Sequence, residues 1–189
     1  WKVLDFIINE PNPNSNLQLA INSNLGIDDK LVDRFIDKIN KICDEDRVKE
    51  FIIFTSVDTW GEQAEYIRTG LEFNRFWDNL NKILTKCPRV NITVMGTYGL
   101  LSVPNYIKLI DGIYGLKQEY GTNDRYWASA VFLDSSYLRY PWHQSVQLLQ
   151  DKKWKDTVLE QSKLMFFQGV PIFDHNYIGY SDIEIQKVK

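Results

Sequence analysis

Thiols and imidazoles are scarce in this chain, which has two cysteines, Cys43 and Cys87, and two histidines, His143 and His175, in 189 residues. The cysteines stand far apart and in no paired motif, which excludes a self-contained zinc site and predicts a reducing, cytoplasmic location. Neither histidine has a partner at ligand spacing, so no metal site is expected from them. No apolar run approaches the roughly 20 residues of a membrane helix, and Trp1-Lys2-Val3-Leu4-Asp5 is not a basic-then-apolar signal. With no Lys/Arg-rich stretch, a net charge of -3 and a pI near 5.4, neither nucleic acid nor membrane is an expected partner. Phosphate-cradling glycine loops, the dinucleotide GxGxxG and nucleophile elbows are also missing. What is present is core material: 44% hydrophobic and 14% aromatic residues fill a single domain without disulfide or metal.

Four strand-then-helix repeats follow from the patterning. Strands are expected at 17–22, 51–57, 90–95 and 126–133, the first entered from the turn formers of 11–16 and the second a continuous β-branched and aromatic run. Helices are expected from Asp28 to about Cys43, from Asn74 to Lys86 with Pro88 as stop, from Ser102 to Gly121, and from Trp154 to Phe167. Residues 145–149 read as extended, 169–180 as loop, and 181–189 as the start of a charged helix. Such alternation at about 35 to 40 residues demands a parallel sheet with helical crossovers. Since about eight units close a barrel, the predicted fold is an α/β, parallel-stranded partial (β/α) barrel of four units over 1–168, a half-barrel of TIM-like kind, with 169–189 as a C-terminal tail. The Met-less start and unfinished end suggest an internal piece of a longer protein.

In parallel α/β folds ligands lie at the carboxyl ends of the strands, which gathers Asn22, Ser23 and Asn24, then Ser56 and Asp58, then Thr97 and Tyr98, then Asp134, Ser135 and Ser136 on one rim. Ser56 and Asp58 fall on one side of the sheet, and Arg68 in the following loop carries a planar fork suited to a carboxylate. These three groups suit the amino-acid part of a zwitterion, with its amine against Asp58 or a neighbour and its carboxylate against Arg68 and Ser56. The plain alternative is an internal ion pair from Asp58 or Glu65 to Arg68, contributing about 0 to 1 kcal/mol if exposed. A further alternative makes Asp58 and Glu62 the acid/base pair of a hydrolase or glycosidase, although their spacing is not diagnostic.

The string Thr55-Ser56-Val57-Asp58-Thr59, then Gly61-Glu62-Gln63-Ala64-Glu65-Tyr66-Ile67-Arg68-Thr69-Gly70, then Trp77-Asp78-Asn79-Leu80, resembles radical S-adenosylmethionine proteins with SPASM or twitch extensions. Residues 19–26 and Leu138-Arg139-Tyr140-Pro141 resemble two further family stretches in matching order. The resemblance implies a barrel of six βα units whose three-cysteine loop holds a [4Fe-4S] cluster that reduces S-adenosylmethionine to a 5'-deoxyadenosyl radical. It further implies Ser56 and Arg68 on the methionine carboxylate, with 22–24, 96–98 and 133–136 along the ligand rim, and the tail leading towards a twitch-like region. The family's CxxxCxxC and Gly-Gly-Glu motifs do not occur here, so the cluster is expected only in a longer protein, and Trp1 would fall in the helix after a missing second strand. The rival expectation is a cluster-less, non-enzymatic relative that pairs with a partner through an exposed sheet edge.

Overall fold

The computed structural model describes residues 1–121, 130–169 and 179–187. Its centre is a sheet of β1 (Gln18–Asn22), β2 (Glu50–Ser56), β3 (Val90–Tyr98) and β4 (Val131–Tyr137), laid side by side in chain order. Every neighbouring pair is parallel, with Asn22 opposite Phe54, Ser56 opposite Met95, and Met95 opposite Asp134. The connections run through α2 (Asp29–Asp44), α4 (Phe73–Lys86) and α5 (Val103–Tyr120), with the short α3 (Glu62–Ile67) ahead of α4. Right-handed crossovers in unbroken chain order place all of these helices on one face. Strand burial agrees. Phe51, Ile53, Val94, Val131 and Leu133 are buried beneath the helices, whereas the alternate Ile52, Phe54, Thr93 and Phe132 are only half-buried on the opposite face.

That opposite face carries a hollow of about 280 Å³ bounded by Ile52, Phe54, Phe132 and Ile183. It is the surface that would line the interior if more strands closed the sheet. No helix among the described residues is long and apolar enough to cross a membrane.

α1 (Lys2–Asn9), which the residue patterning does not predict, begins just after Trp1 and packs Leu4, Ile7 and Ile8 into the core beside α2. α6 (Lys152–Phe167) lies against α5 and begins two residues before the expected Trp154. Three expectations are corrected. Polar residues 96–98 and 134–136 belong to β3 and β4, because Gly96 admits the Tyr106 hydroxyl, 3.4 Å from where a Cβ would stand, and Tyr106 bonds Ser135. β4 therefore runs to Tyr137 rather than ending at Leu133; the expected strand residues 126–129 lie outside the described residues, as do most of the expected loop and His175. Residues 146–148 form a 3-10 turn capped by the Ser145 hydroxyl, where extended chain was expected.

The described end of the tail is built into the same core. α7 (Asp182–Gln186) opens on a capping box, in which the Ser181 hydroxyl accepts from the Glu184 amide and the Glu184 carboxylate accepts from the Ser181 amide. Tyr180 and Ile185 are buried, and the Tyr180 hydroxyl donates to the Ile110 carbonyl at 2.6 Å. Glu184 and Lys117 are both 1% exposed and pair at 2.9 Å. The Lys117 ammonium donates to the Val131 carbonyl at 2.8 Å, and Glu184 accepts from the Leu133 amide at 2.7 Å. The two side chains thus bond the outer edge of β4 where a fifth strand would bond it.

The cysteines sit at the far end from the strand carboxyl termini, Cys43 in the last turn of α2 and Cys87 at the end of α4, both buried. Burial pushes both thiols up, Cys87 to about 12, with Cys43 as a second raising influence on it. A thiolate-labelling reagent at pH 8 is therefore expected to modify them only as fast as the chain unfolds. Since an unfolded thiol titrates near ~8.5, the folded chain holds a proton that the unfolded chain loses, so the contribution of Cys87 to stability is whole below that pH and declines as pH rises towards about 12. Urea melts at pH 8 and 10.5, compared with those of Cys87→Ala, check the sign.

Candidate functional site

The loop after β2 is anchored from three sides before any ligand is considered. Gly61 adopts φ +65° and ψ -145°, a conformation that only glycine takes without strain, and swings the chain into α3. Trp60 packs 4.6 Å from Trp77 and 4.8 Å from Phe73 between ring centroids, and bare Gly112 on α5 makes room for it, a Cβ there lying 2.4 Å from the Trp60 ring. The Thr59 hydroxyl donates to the Ser102 carbonyl at 3.0 Å, tying this loop to the one after β3. Glu65 accepts from the Phe73 amide at 2.7 Å and so caps α4, and Gly70, at φ +84°, turns the chain between the helices.

Arg68, the residue that ends α3, reaches back to Asp58. Its Nε and Nη2 donate to the two carboxylate oxygens at 2.6 and 3.0 Å, a side-on bidentate pair. Asp58 is 5% exposed and its Oδ1 also accepts from the Thr97 amide at 2.7 Å. The carboxylate therefore already accepts from three N–H donors, whereas Arg68 keeps 36% of its side chain exposed and its Nη1 has no hydrogen-bond partner among the described residues. Beside Asp58 lies a hollow of about 210 Å³ walled by Thr97, Gly99, Leu101 and Leu138.

This geometry assigns Asp58 a part other than the expected amine contact: it holds and aims the guanidinium. The plain ion-pair expectation is present too, because Asp58 to Arg68 joins β2 to the end of α3. Ser56 sits half-buried one row below, opposite Met95, on the face without helices. Asp58, Arg68 and Thr97 are thus brought together. The remaining predicted residues are not. Asn22 is exposed opposite Phe54, and the Asn24 side chain accepts from the Gly26 amide at 3.2 Å in a local turn. Asp134 lies within β4 rather than beyond it and is ion-paired to Lys187. Glu62 is exposed in the first turn of α3, and with Asp58 occupied by its donors the Asp58 and Glu62 hydrolase pair lacks a free buried carboxylate.

Two residues, one holding the rim and one the outer edge of β4, were not singled out as such from the sequence. Asn79, on α4 and 2% exposed, donates to the carbonyls of Leu25 and Ile27 at 2.7 and 2.9 Å, which fixes the loop from Asn22 to Asp28 through Leu25 at φ +52°. Glu184 is the other, and its sequence signal is the Ser181-x-x-Glu184 box. Neither cysteine suits an iron-sulfur cluster: both are buried protonated thiols at the end of the sheet opposite this rim, and no group of three metal-ligating side chains occurs among the described residues. Comparison of the chain with protein-family models, with curated proteins and with solved structures returns no match.

Proposed function

We propose that this chain forms the later, S-adenosylmethionine-binding strands of a cytoplasmic radical S-adenosylmethionine protein, a partial barrel whose cluster-binding units lie upstream of Trp1. The observation that carries the reading is Arg68 held side-on by buried Asp58 at the carboxyl end of β2, with Nη1 still open to a second carboxylate. Sequential parallel strands with one face clear of the crossover helices support it, because a closing barrel has that arrangement. Neither Cys43 nor Cys87 would hold the cluster, which would be bound by residues outside this chain and would supply reducing chemistry there. Arg68 orients the methionine carboxylate, Asp58 orients Arg68, and Ser56 and Thr97 line the rim. No step is assigned to the two cysteines.

Calorimetric titration of S-adenosylmethionine tests this reading. Arg68→Ala is expected to weaken binding by about 1.5 to 3 kcal/mol, the loss of a hydrogen bond to a charged group, and unchanged affinity would remove Arg68 from the site. The reading frame ahead of Trp1 is expected to encode a CxxxCxxC and a Gly-Gly-Glu; a stop codon there would instead favour the second reading. That second reading is a non-enzymatic interaction module. It is supported by β1, whose outer edge and exposed Gln18, Ala20 and Asn22 carry no neighbouring strand among the described residues.

A further inference from the structure

Beyond β4 the chain doubles back around a half-open hollow of about 740 Å³ between the strand end and α7. That is within the span of roughly 300–1,000 Å³ typical of small-ligand sites. Its wall is organised in advance: the Leu138 amide donates to the Tyr98 carbonyl at 3.0 Å, Leu100 to Gln144 at 2.7 Å, Ser145 to Trp142 at 3.0 Å, and Leu148 to Ser145 at 3.1 Å. The Trp142 side chain is nevertheless 67% exposed and Tyr137 41%, and Tyr137 is steadied edge-on by Tyr98 at 6.0 Å between centroids. Large rings left in water on a hydrogen-bonded frame are surface for a flat apolar ligand.

The charge lining this hollow is specific as well. Among the described residues two cations face it, Arg139 and Lys187. Lys187 is neutralised by Asp134, whereas Arg139 has no ion-pair or hydrogen-bond partner among the described residues. One uncompensated guanidinium matches a single negative charge, and its planar fork matches a carboxylate in shape. A phosphomonoester, with a charge of about -1.5 to -2, would remain partly unbalanced. Ser136 adds an exposed hydroxyl within the same wall.

We propose that the hollow between β4 and α7 binds an aromatic monocarboxylate, with its carboxylate on Arg139 and its ring on Trp142 and Tyr137. This hollow shares the Leu138 wall with the one beside the Asp58–Arg68 pair, but Arg139, Trp142 and Tyr137 line only this one, and the proposal does not depend on the S-adenosylmethionine reading. The probes are N-acetyl-L-phenylalanine and N-acetyl-L-phenylalaninamide, which share the ring and differ in the charge, titrated calorimetrically into the chain. The acid is expected to bind at least tenfold more tightly than the amide. Arg139→Gln should erase that difference, Trp142→Ala should weaken both probes alike, and Arg68→Ala should leave the acid's affinity unchanged. Arg139 and Trp142 are exposed, so these variants are expected to melt with the parent chain, and Arg139→Lys, which keeps the charge and loses the fork, should fall between parent and Arg139→Gln. Equal affinity for acid and amide, unchanged affinity in Arg139→Gln, absence of acid binding at millimolar concentration, or loss of acid binding in Arg68→Ala would each overturn the proposal.

Discussion

Glu184→Ala is expected to lower the free energy of unfolding by about 3–5 kcal/mol, the range seen when one partner of a buried ion pair is removed. The cause is specific. Lys117 loses the Glu184 carboxylate while remaining buried, the Leu133 amide on the edge of β4 loses its acceptor, and α7 loses its capping box. At roughly 2–4 °C per kcal/mol for a chain of this size, the melting temperature should fall by roughly 6–20 °C. Burial already pulls the Lys117 ammonium below its ordinary range. Without Glu184 the pull deepens, so the unfolded chain binds a proton that the folded variant lacks, and stability of the variant should rise with pH from neutrality towards about 10.4. The double variant Lys117→Met/Glu184→Leu, which removes both charges, should recover most of the loss. A decrease below about 1 kcal/mol for Glu184→Ala would show that water reaches the pair and that α7 does not seal the sheet edge.

The second large effect is expected at Asp58. Asp58→Ala leaves the Thr97 amide without an acceptor and frees Arg68 from its bidentate hold. Since Arg68 is 36% exposed and can rehydrate, the expected cost is discounted to about 2–3 kcal/mol, below that of a fully buried pair. Asp58→Asn keeps one oxygen for the Thr97 amide and should cost less. Both variants should also weaken S-adenosylmethionine about tenfold, because a guanidinium that must be reoriented loses the benefit of being held in advance. Asp58→Ala melting with the parent, together with unaltered ligand affinity, would reduce the pair to a surface contact.

Much of the sheet was legible in the sequence because long apolar runs report burial directly. The stripe of Phe35, Ile36, Ile39 and Ile42 in α2, and that of Phe76, Leu80, Ile83 and Leu84 in α4 lie where they are expected, and Phe51 to Val57 runs along β2, but with helices over one face only, so that Ile52 and Phe54 are half-buried where cover on both faces is expected. The errors at the strand ends share a cause: polar residues read as loop when their partners lie far away in sequence. Thr97, Ser135 and Asp134 are strand residues because Asp58, Tyr106 and Lys187 satisfy this part of the sheet across separations of up to 53 positions. Burial also redistributes roles. The sequence places Asp58 and Arg68 in one loop, but cannot say whether they grip a ligand or each other; the buried carboxylate with three donors decides that they grip each other first.

The most direct test of the account observes Arg68 itself. In the chain labelled with nitrogen-15, the Arg68 Nε–H and the Thr97 N–H are both hydrogen-bonded to Asp58 and each reports on that carboxylate. Titration with S-adenosylmethionine is predicted to shift both resonances in a saturable way, with the methyl ester of its carboxylate producing no such shift. Resonances of Arg68 and Thr97 that stay fixed while other parts of the sheet respond would contradict the placement of the ligand on this rim.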